Sequence, residues 1–299
     1  MGQRLGNYLG AALLMLFAVL PYRIVARFGE WLGGQLFRLK SRRRAVVLTN
    51  LRLCFPELSD GERFELARAH FRHLFRSFAE RGLVWLGSAD KVLRYVEIES
   101  EIDMADRTPR LYISMHMVGI EAGAVAQAAQ SVALGQPDTM MVYMPMKNAW
   151  MDRFVAKGRG RFGSTLVPRG SKAGGLVRPY RADDAETYRE QTVAEPRGIR
   201  RGAVVQISPD MDFGLRDSVF VPFFGVPACT LTAVSRLAQQ TGAQVVPIVT
   251  LLKPDYAGYV AKIHAPLPNF PSGDVEADAR AMNAFFEEQI RAHPAQYYW

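Results

Sequence analysis

His116 and Glu121, separated by Met117-Val118-Gly119-Ile120, stand where two differently patterned stretches meet. Leu111 to Met115 is an apolar run bounded by Pro109 and Gly119 and reads as a buried strand, and the Ala-rich run from Ala122 to Ala129 reads as a helix. His116 therefore falls at a strand end, the side of an open α/β sheet on which ligands bind. On one continuous helix the two residues would lie about 140° apart, so they meet only if His116 belongs to the loop before the helix. In that geometry Glu121 accepts a hydrogen bond from one ring nitrogen, fixes the tautomer and raises the basicity of the other nitrogen, which makes a general base. In isolation the same spacing also fits a plain polar pair at a helix start.

A second candidate is a cationic turn. Arg159, Arg161, Arg169 and Lys172 surround a short strand, Thr165 to Pro168, among glycines that let backbone approach a ligand, as phosphate binding requires. An arginine-rich surface loop has the same composition. Gly158 to Gly163 matches G-x-G-x-x-G, but those glycines follow a helical pattern instead of a strand and the P-loop lysine is absent, so no nucleotide site is read there. No G-x-S-x-G elbow is present either, which weighs against a serine hydrolase. Asp210 and Asp212 close another strand as D-x-D, a metal-binding pattern in some glycosyltransferases and also an ordinary turn cap. Phe220, Pro222, Phe223 and Phe224 belong to an aromatic stretch, Val219 to Ala228, with little helical period; it suits the lining of an acyl-chain tunnel or plain core.

The elements that must position these residues alternate. Strands are expected at Met140–Met144, Thr165–Pro168, Ala203–Ser208 and Gln244–Leu252, and helices at Asn148–Lys157, Thr230–Gln240 and Val275–Ala292. This is the pattern of an α/β fold, a mainly parallel mixed sheet with helices on both faces. A charged, proline-punctuated insert lies between Val177 and Gly202 and reads as a surface excursion. Upstream, Ser59 and Glu62 have capping-box spacing before an apolar stripe of Phe64, Ala67, Phe71, Leu74, Phe75 and Phe78. Arg63, Arg68, Arg72, Arg76 and Arg81 form the opposite face, suited to a membrane, an acidic partner or plain solvent, and His70 and His73 are expected to be solvated.

With 299 residues, 49% of them hydrophobic, the chain can bury a large core, and two distant cysteines, Cys54 and Cys229, exclude a disulfide framework and a CxxC site. The net charge of +8 is concentrated early: residues 1–50 hold eight Arg/Lys against Glu30 alone. Tyr8 to Tyr22 is uncharged and mostly apolar, marginal against the roughly 20 residues a full span needs. It lacks a small-x-small cleavage pattern, and the basic residues follow it. A retained N-terminal membrane-anchor helix over residues 1–27 is expected, with residues 28–299 on the cytoplasmic side by the positive-inside rule. An amphipathic helix of a soluble protein is the competing reading.

Together these pieces resemble the late acyltransferases of lipid A biosynthesis, the lauroyl/myristoyl transferase family within the H-x4-D/E glycerolipid acyltransferase group. The matching residues run from Asn50-Leu51 and Cys54-Phe55-Pro56-Glu57-Leu58 through His116, Glu121, Tyr143, Lys147-Asn148, Gly158-Arg159, Arg161, Pro209-Asp210, Asp212 and Gly214. Val219 to Phe224, Arg236-Leu237-Ala238, Gly242-Ala243, Val246-Pro247, Pro294, Gln296-Tyr297 and Trp299 complete them. The resemblance implies a glycerolipid acyltransferase-like fold at the bacterial inner membrane, with a helical lead-in over 28–105 and a catalytic core over 106–299. It implies transfer of a fatty acyl chain from acyl carrier protein to the hydroxyl of a hydroxyacyl chain on a lipid A precursor, a phosphorylated glucosamine disaccharide. His116 and Glu121 would be the general-base pair, and Asn148, Arg159, Arg161, Arg169 and Asp210 would bind substrate. Membrane lipids are expected partners, nucleic acid is not, and no metal or cofactor beyond the thioester co-substrate is implied. An acyltransferase acting on lysophospholipid or another glycolipid is the nearest alternative, and a membrane D-x-D glycosyltransferase is the alternative from another class. The longer charged insert departs from the family pattern.

Overall fold

The computed structural model describes residues 2–135, 139–168, 204–211 and 214–299. Arg169, Lys172, Asp212 and the insert over 178–201 lie outside the described residues. Helices α1 (Gly2–Val19), α2 (Tyr22–Phe37), α3 (Arg42–Cys54), α4 (Asp60–Leu86) and α5 (Ala89–Tyr95) come first. The capping box opens α4 as its spacing predicts: Ser59 Oγ accepts from the Glu62 amide at 3.3 Å, and Glu62 Oε2 accepts from the Ser59 amide at 2.7 Å. Strand β1 (Val96–Ser100) then begins the sheet within the segment read as a helical lead-in.

The sheet is completed by β2 (Arg110–Ser114), β3 (Thr139–Tyr143), β4 (Thr165–Pro168), β5 (Val204–Ile207), β8 (Gln244–Leu252) and β9 (Tyr259–Ile263), in the spatial order β1-β9-β8-β2-β5-β3-β4. Every neighbouring pair is parallel except β8 with β9. The connection from Lys253 to Gly258 is too short for the crossover a parallel neighbour needs, so β9 returns antiparallel. Helices α6 (Ile120–Ala133), α7 (Ala149–Gly160), α8 (Ala233–Thr241) and α9 (Val275–Ala292) supply the layers. Alternate residues of the sheet feed different cores. Leu111, Ile113, Val245 and Val249 pack with Val234 of α8 and with Met282, Phe286 and Ile290 of α9. Tyr112, Val246 and Ile248 face the other way, toward the side on which α6 packs with Tyr259 and Ala261. Helix α6 approaches β8 so closely that a methyl group at Gly123 would overlap Thr250 Oγ1, so this layer needs glycine there.

The stretch expected to line a tunnel is a separate antiparallel hairpin, β6 (Ser218–Phe223) with β7 (Val226–Leu231), turned at Phe224 and Gly225, both with positive φ. Its alternation separates the candidates. Phe220 is 59% exposed and Pro222 is exposed beside it, whereas Phe224 is buried against Phe55 and Trp299. These residues do not share one lining.

Three further expectations are corrected. Among the described residues no helix is long and apolar enough to cross a membrane. Helix α1 instead lies on α4, where a methyl group at Gly82 would overlap the Leu14 carbonyl. The basic face of α4 is also largely consumed. Arg76 is buried, donating to Glu80 at 2.9 Å and to the Tyr22 hydroxyl at 3.1 Å, and the Tyr259 hydroxyl donates to the other oxygen of Glu80. Arg72 pairs with Glu30 of α2 at 3.0 Å. His70, expected in solvent, is fully buried, and burial pushes its pKa down to about 3. Helix α4 has neighbours on both sides, which an amphipathic pattern read alone does not reveal.

Candidate active site

Strands β2 and β5 are parallel neighbours with Ile113 opposite Ile207. His116 and Asp210 each lie three residues beyond that pair, so the register brings both to the same point past the strand ends. Asp210 Oδ1 sits 2.6 Å from His116 Nδ1, and Oδ2 accepts the His116 backbone amide at 2.6 Å. One carboxylate thus fixes both the ring and the main chain of the histidine. With Nδ1–H donated to Asp210, Nε2 carries the lone pair and becomes the ring nitrogen available as a base. The His116 side chain is 32% exposed and that of Asp210 1%, so the imidazole faces solvent while its partner does not.

The C-terminal residues close this arrangement from one side. The Tyr297 hydroxyl donates to Asp210 Oδ2 at 3.1 Å, the Tyr298 amide donates to the His116 carbonyl at 2.9 Å, and the Val118 amide donates to the Gln296 carbonyl at 2.7 Å. Trp299 anchors the strap by packing on Phe55 and Phe224. Below the site, the Ser114 and Ser208 hydroxyls meet at 2.8 Å, joining the two strand ends.

Glu121 takes a different position from the one its spacing suggested. His116 does precede the helix, and Glu121 lies in the first turn of α6, where the helix dipole favours an anion. Its oxygens, however, accept from Arg159 Nε at 3.0 Å, from Arg159 Nη2 and from Trp85 Nε1 at 3.2 Å. Tight packing of Gly158 on the Trp85 ring aims the end of α7 at this carboxylate. Burial alone would raise the Glu121 pKa; the charge and hydrogen bonds of Arg159, with Arg81 and Trp85, bring it down to about 2. Burial likewise disfavours protonated His116, but the charge and hydrogen bond of Asp210, followed by the charge of Glu121, hold its pKa above the ordinary histidine value. Glu121 therefore acts on His116 through space, and the hydrogen-bonding partner is Asp210.

The remaining expected site residues divide. Arg159 reaches the site but is taken by Glu121. Arg161 follows α7 and lies exposed with its guanidinium 4.7 Å from the Phe162 ring centroid. Asn148 caps α7, accepting from the Trp150 and Met151 amides at 3.2 Å each, while its amide donates to Asn7 of α1 at 2.8 Å. Trp85 and Arg81 were missed as site residues because they lie on α4, far upstream; Tyr297 was noted in the C-terminal pattern without a role.

A family model for bacterial lipid A biosynthesis acyltransferases matches residues 1–299. The chain belongs to this family. It is 32% identical over 298 residues to the lipid A biosynthesis lauroyltransferase of Escherichia coli K12, covering 98% of this chain and 89% of that protein. The palmitoleoyltransferase of the same organism is 26% identical over 98% of this chain and 89% of its own length. The corresponding figures for its lipid A biosynthesis myristoyltransferase are 26%, 98% and 85%. Membership makes the chain an acyltransferase of lipid A biosynthesis, with a lipid A precursor as substrate.

Proposed function

We propose that this acyltransferase moves a fatty acyl chain from the thioester of acyl carrier protein to the hydroxyl of a hydroxyacyl chain on the lipid A precursor, with His116 as general base and Asp210 as its orienting partner. The observation that carries the catalytic assignment is the 2.6 Å contact between His116 Nδ1 and Asp210, which directs the basic Nε2 outward at the strand ends. Nε2 removes the acceptor hydroxyl proton as the oxygen attacks the thioester carbonyl carbon. The tetrahedral intermediate collapses with cleavage of the C–S bond, and the imidazolium returns the proton to the departing sulfur. The Asp210 carboxylate stabilises the imidazolium in between, and the negative potential of Glu121 adds to it. No acyl-enzyme is formed. Glu121, with Arg159 and Trp85, fixes α6 against α4 and α7.

Attachment to the membrane is assigned to the outer face of α1 and α2. Tyr8, Leu9, Leu13, Leu16 and Val19 of α1 and Ile24 and Trp31 of α2 are exposed, with Arg23 and Arg27 exposed among them. Apolar side chains flanked by arginines suit a helix pair lying in the interface of an anionic bilayer.

The test is acyl transfer by the purified chain from a labelled acyl carrier protein thioester to lipid A precursor, with and without chelator. Label in the precursor, unaffected by chelator, is expected. Transfer only from a sugar nucleotide, or only in the presence of a divalent metal, would overturn the proposal.

A further inference from the structure

The arginine expected to meet substrate, Arg159, has both a carboxylate and a bidentate geometry of its own, and the unmatched positive charge lies next to it. Arg81 stacks its guanidinium 4.3 Å from the Phe78 ring centroid and 5.3 Å from that of Trp85, the residue that donates to Glu121. Its Nε is buried and has no hydrogen-bond partner among the described residues. The nearby carboxylate, Glu121, already receives three donors from Arg159 and Trp85. On the other side, the Arg43 guanidinium lies 3.9 Å from the Tyr298 ring centroid, with buried Nε and Nη2 atoms that also lack partners among the described residues. Tyr298 in turn is hydrogen-bonded through its amide to the His116 carbonyl; Arg43 lies over its ring and Arg81 lies within electrostatic range of it, so both arginines border the segment that carries the base. Two guanidinium groups, Arg81 and Arg159, thus share one glutamate, and Arg43 adds a third positive charge beside Tyr298.

We propose that Arg81, with Arg43 across the Tyr298 ring, forms a phosphate-binding subsite beside His116. The inference rests on the acyl-transfer reading of the same site. Burying a cation without a counter-charge is costly, so this arrangement is suited to an anion supplied by the ligand. The planar fork of a guanidinium offers paired N–H donors that match phosphate oxygens, and aromatic stacking holds both forks in place before the ligand arrives. Burial lowers the pKa of both arginines; at Arg81 the pull of Glu121 opposes this and the repulsion of Arg159 adds to it. A phosphate would relieve that repulsion. Two phosphates are available in the proposed reaction, one on the acceptor sugar and the phosphodiester of the donor's pantetheine arm, and the shared chemistry does not distinguish them.

Steady-state transfer by the full chain separates these cases. Arg81→Gln and Arg43→Gln are compared with the wild type using acceptor with and without its sugar phosphates, and using an acyl carrier protein thioester or an acyl-pantetheine thioester that lacks the phosphodiester. Loss of a charge-assisted hydrogen bond should raise the KM for the phosphate-bearing substrate about 10- to 100-fold while kcat changes far less. That penalty should vanish when the relevant phosphate is removed, and the substrate for which it vanishes identifies the source. An unchanged KM, or a penalty that survives removal of either phosphate, overturns the subsite. Calorimetric binding of inorganic phosphate provides a readout independent of turnover: the wild type should bind, Arg43→Gln should bind more weakly, and equal or absent binding in both refutes the proposal. A wild type that binds phosphate but transfers no acyl group would instead overturn the acyl-transfer reading, and the calorimetry also decides the matter if Arg81→Gln fails to fold.

Discussion

Asp210→Asn isolates the orienting role, because it keeps the size of the side chain and removes only its charge and one acceptor. The remaining carbonyl oxygen can still accept from the His116 amide and the Tyr297 hydroxyl, both of which now use Oδ2. The new amide group must then face Nδ1 as a donor, so the ring is driven to the tautomer with its proton on Nε2. Nε2 then has no free lone pair and cannot take the acceptor proton, and the carboxylate that would stabilise an imidazolium has been removed. The expected loss in kcat is about 10²- to 10⁴-fold. The contacts survive as neutral hydrogen bonds, so the cost in stability is the loss of their charge assistance, about 0.5–1.5 kcal/mol, and the variant should fold. The pH dependence supplies a second signature. Against the opposing effect of burial, Asp210 holds the His116 pKa above its ordinary value, so its loss should move the acid limb of the rate profile to lower pH. A raised histidine pKa stabilises the native state below the unfolded pKa, and that stabilisation disappears as pH rises through the folded value; the variant's deficit should therefore be largest in acid. Single-turnover acyl transfer between about pH 5 and 9, at matched folded fraction, measures the rates, and urea unfolding over the same range measures the stability deficit. Wild-type rates in Asp210→Asn, or an unmoved acid limb, would refute the assignment.

Glu121→Gln removes the counter-charge of two arginines and should weaken folding: the gap from 4.5 to about 2 in its pKa corresponds to about 3 kcal/mol, present above about pH 4.5 and lost as pH falls toward 2. Urea unfolding of both proteins at pH 7 and pH 3 should show a difference that narrows in acid, and equal stability at pH 7 contradicts the ion-pair role. Tyr297→Phe deletes one hydrogen bond to Asp210 and should lower kcat by about 3- to 10-fold with little change in KM, in line with the roughly 0.5–1.5 kcal/mol such a bond contributes; an unchanged kcat would make the tyrosine merely structural. Replacing the exposed Leu9, Leu13 and Trp31 with glutamate should reduce flotation with anionic vesicles while leaving circular dichroism unchanged, and full flotation would move the membrane contact elsewhere.

Much of the frame was legible because it rests on local chemistry. The strand at Leu111 to Met115, the capped start of α4 and the last helix follow from a continuous apolar run, capping spacing and helical period, which neighbouring residues determine together. That His116 lies in a loop at a strand end follows from the same patterns. The composition of the basic stripe on α4 was equally plain, but its environment was not. Periodicity identifies one buried face, whereas α4 has neighbours on more than one side, and Arg76 and His70 become interior groups only through contacts with α2, β9 and the C-terminal segment.

The partner of His116 belongs to the same class of fact. Glu121 is near in sequence, and a hydrogen bond to it was the natural expectation from spacing. Asp210 is 94 residues away and becomes adjacent only because β2 and β5 pair in parallel with Ile113 opposite Ile207, a register that no single segment encodes. Glu121 is drawn away by Arg159 and Trp85, which arrive from two further helices. The residue types alone therefore determine that a histidine, carboxylates and arginines are available for acid–base and anion-binding chemistry. Which carboxylate holds the histidine, and which arginines keep an unmatched charge, is decided by tertiary packing, because hydrogen bonds and ion pairs act over a few ångströms of space irrespective of the length of chain between their partners.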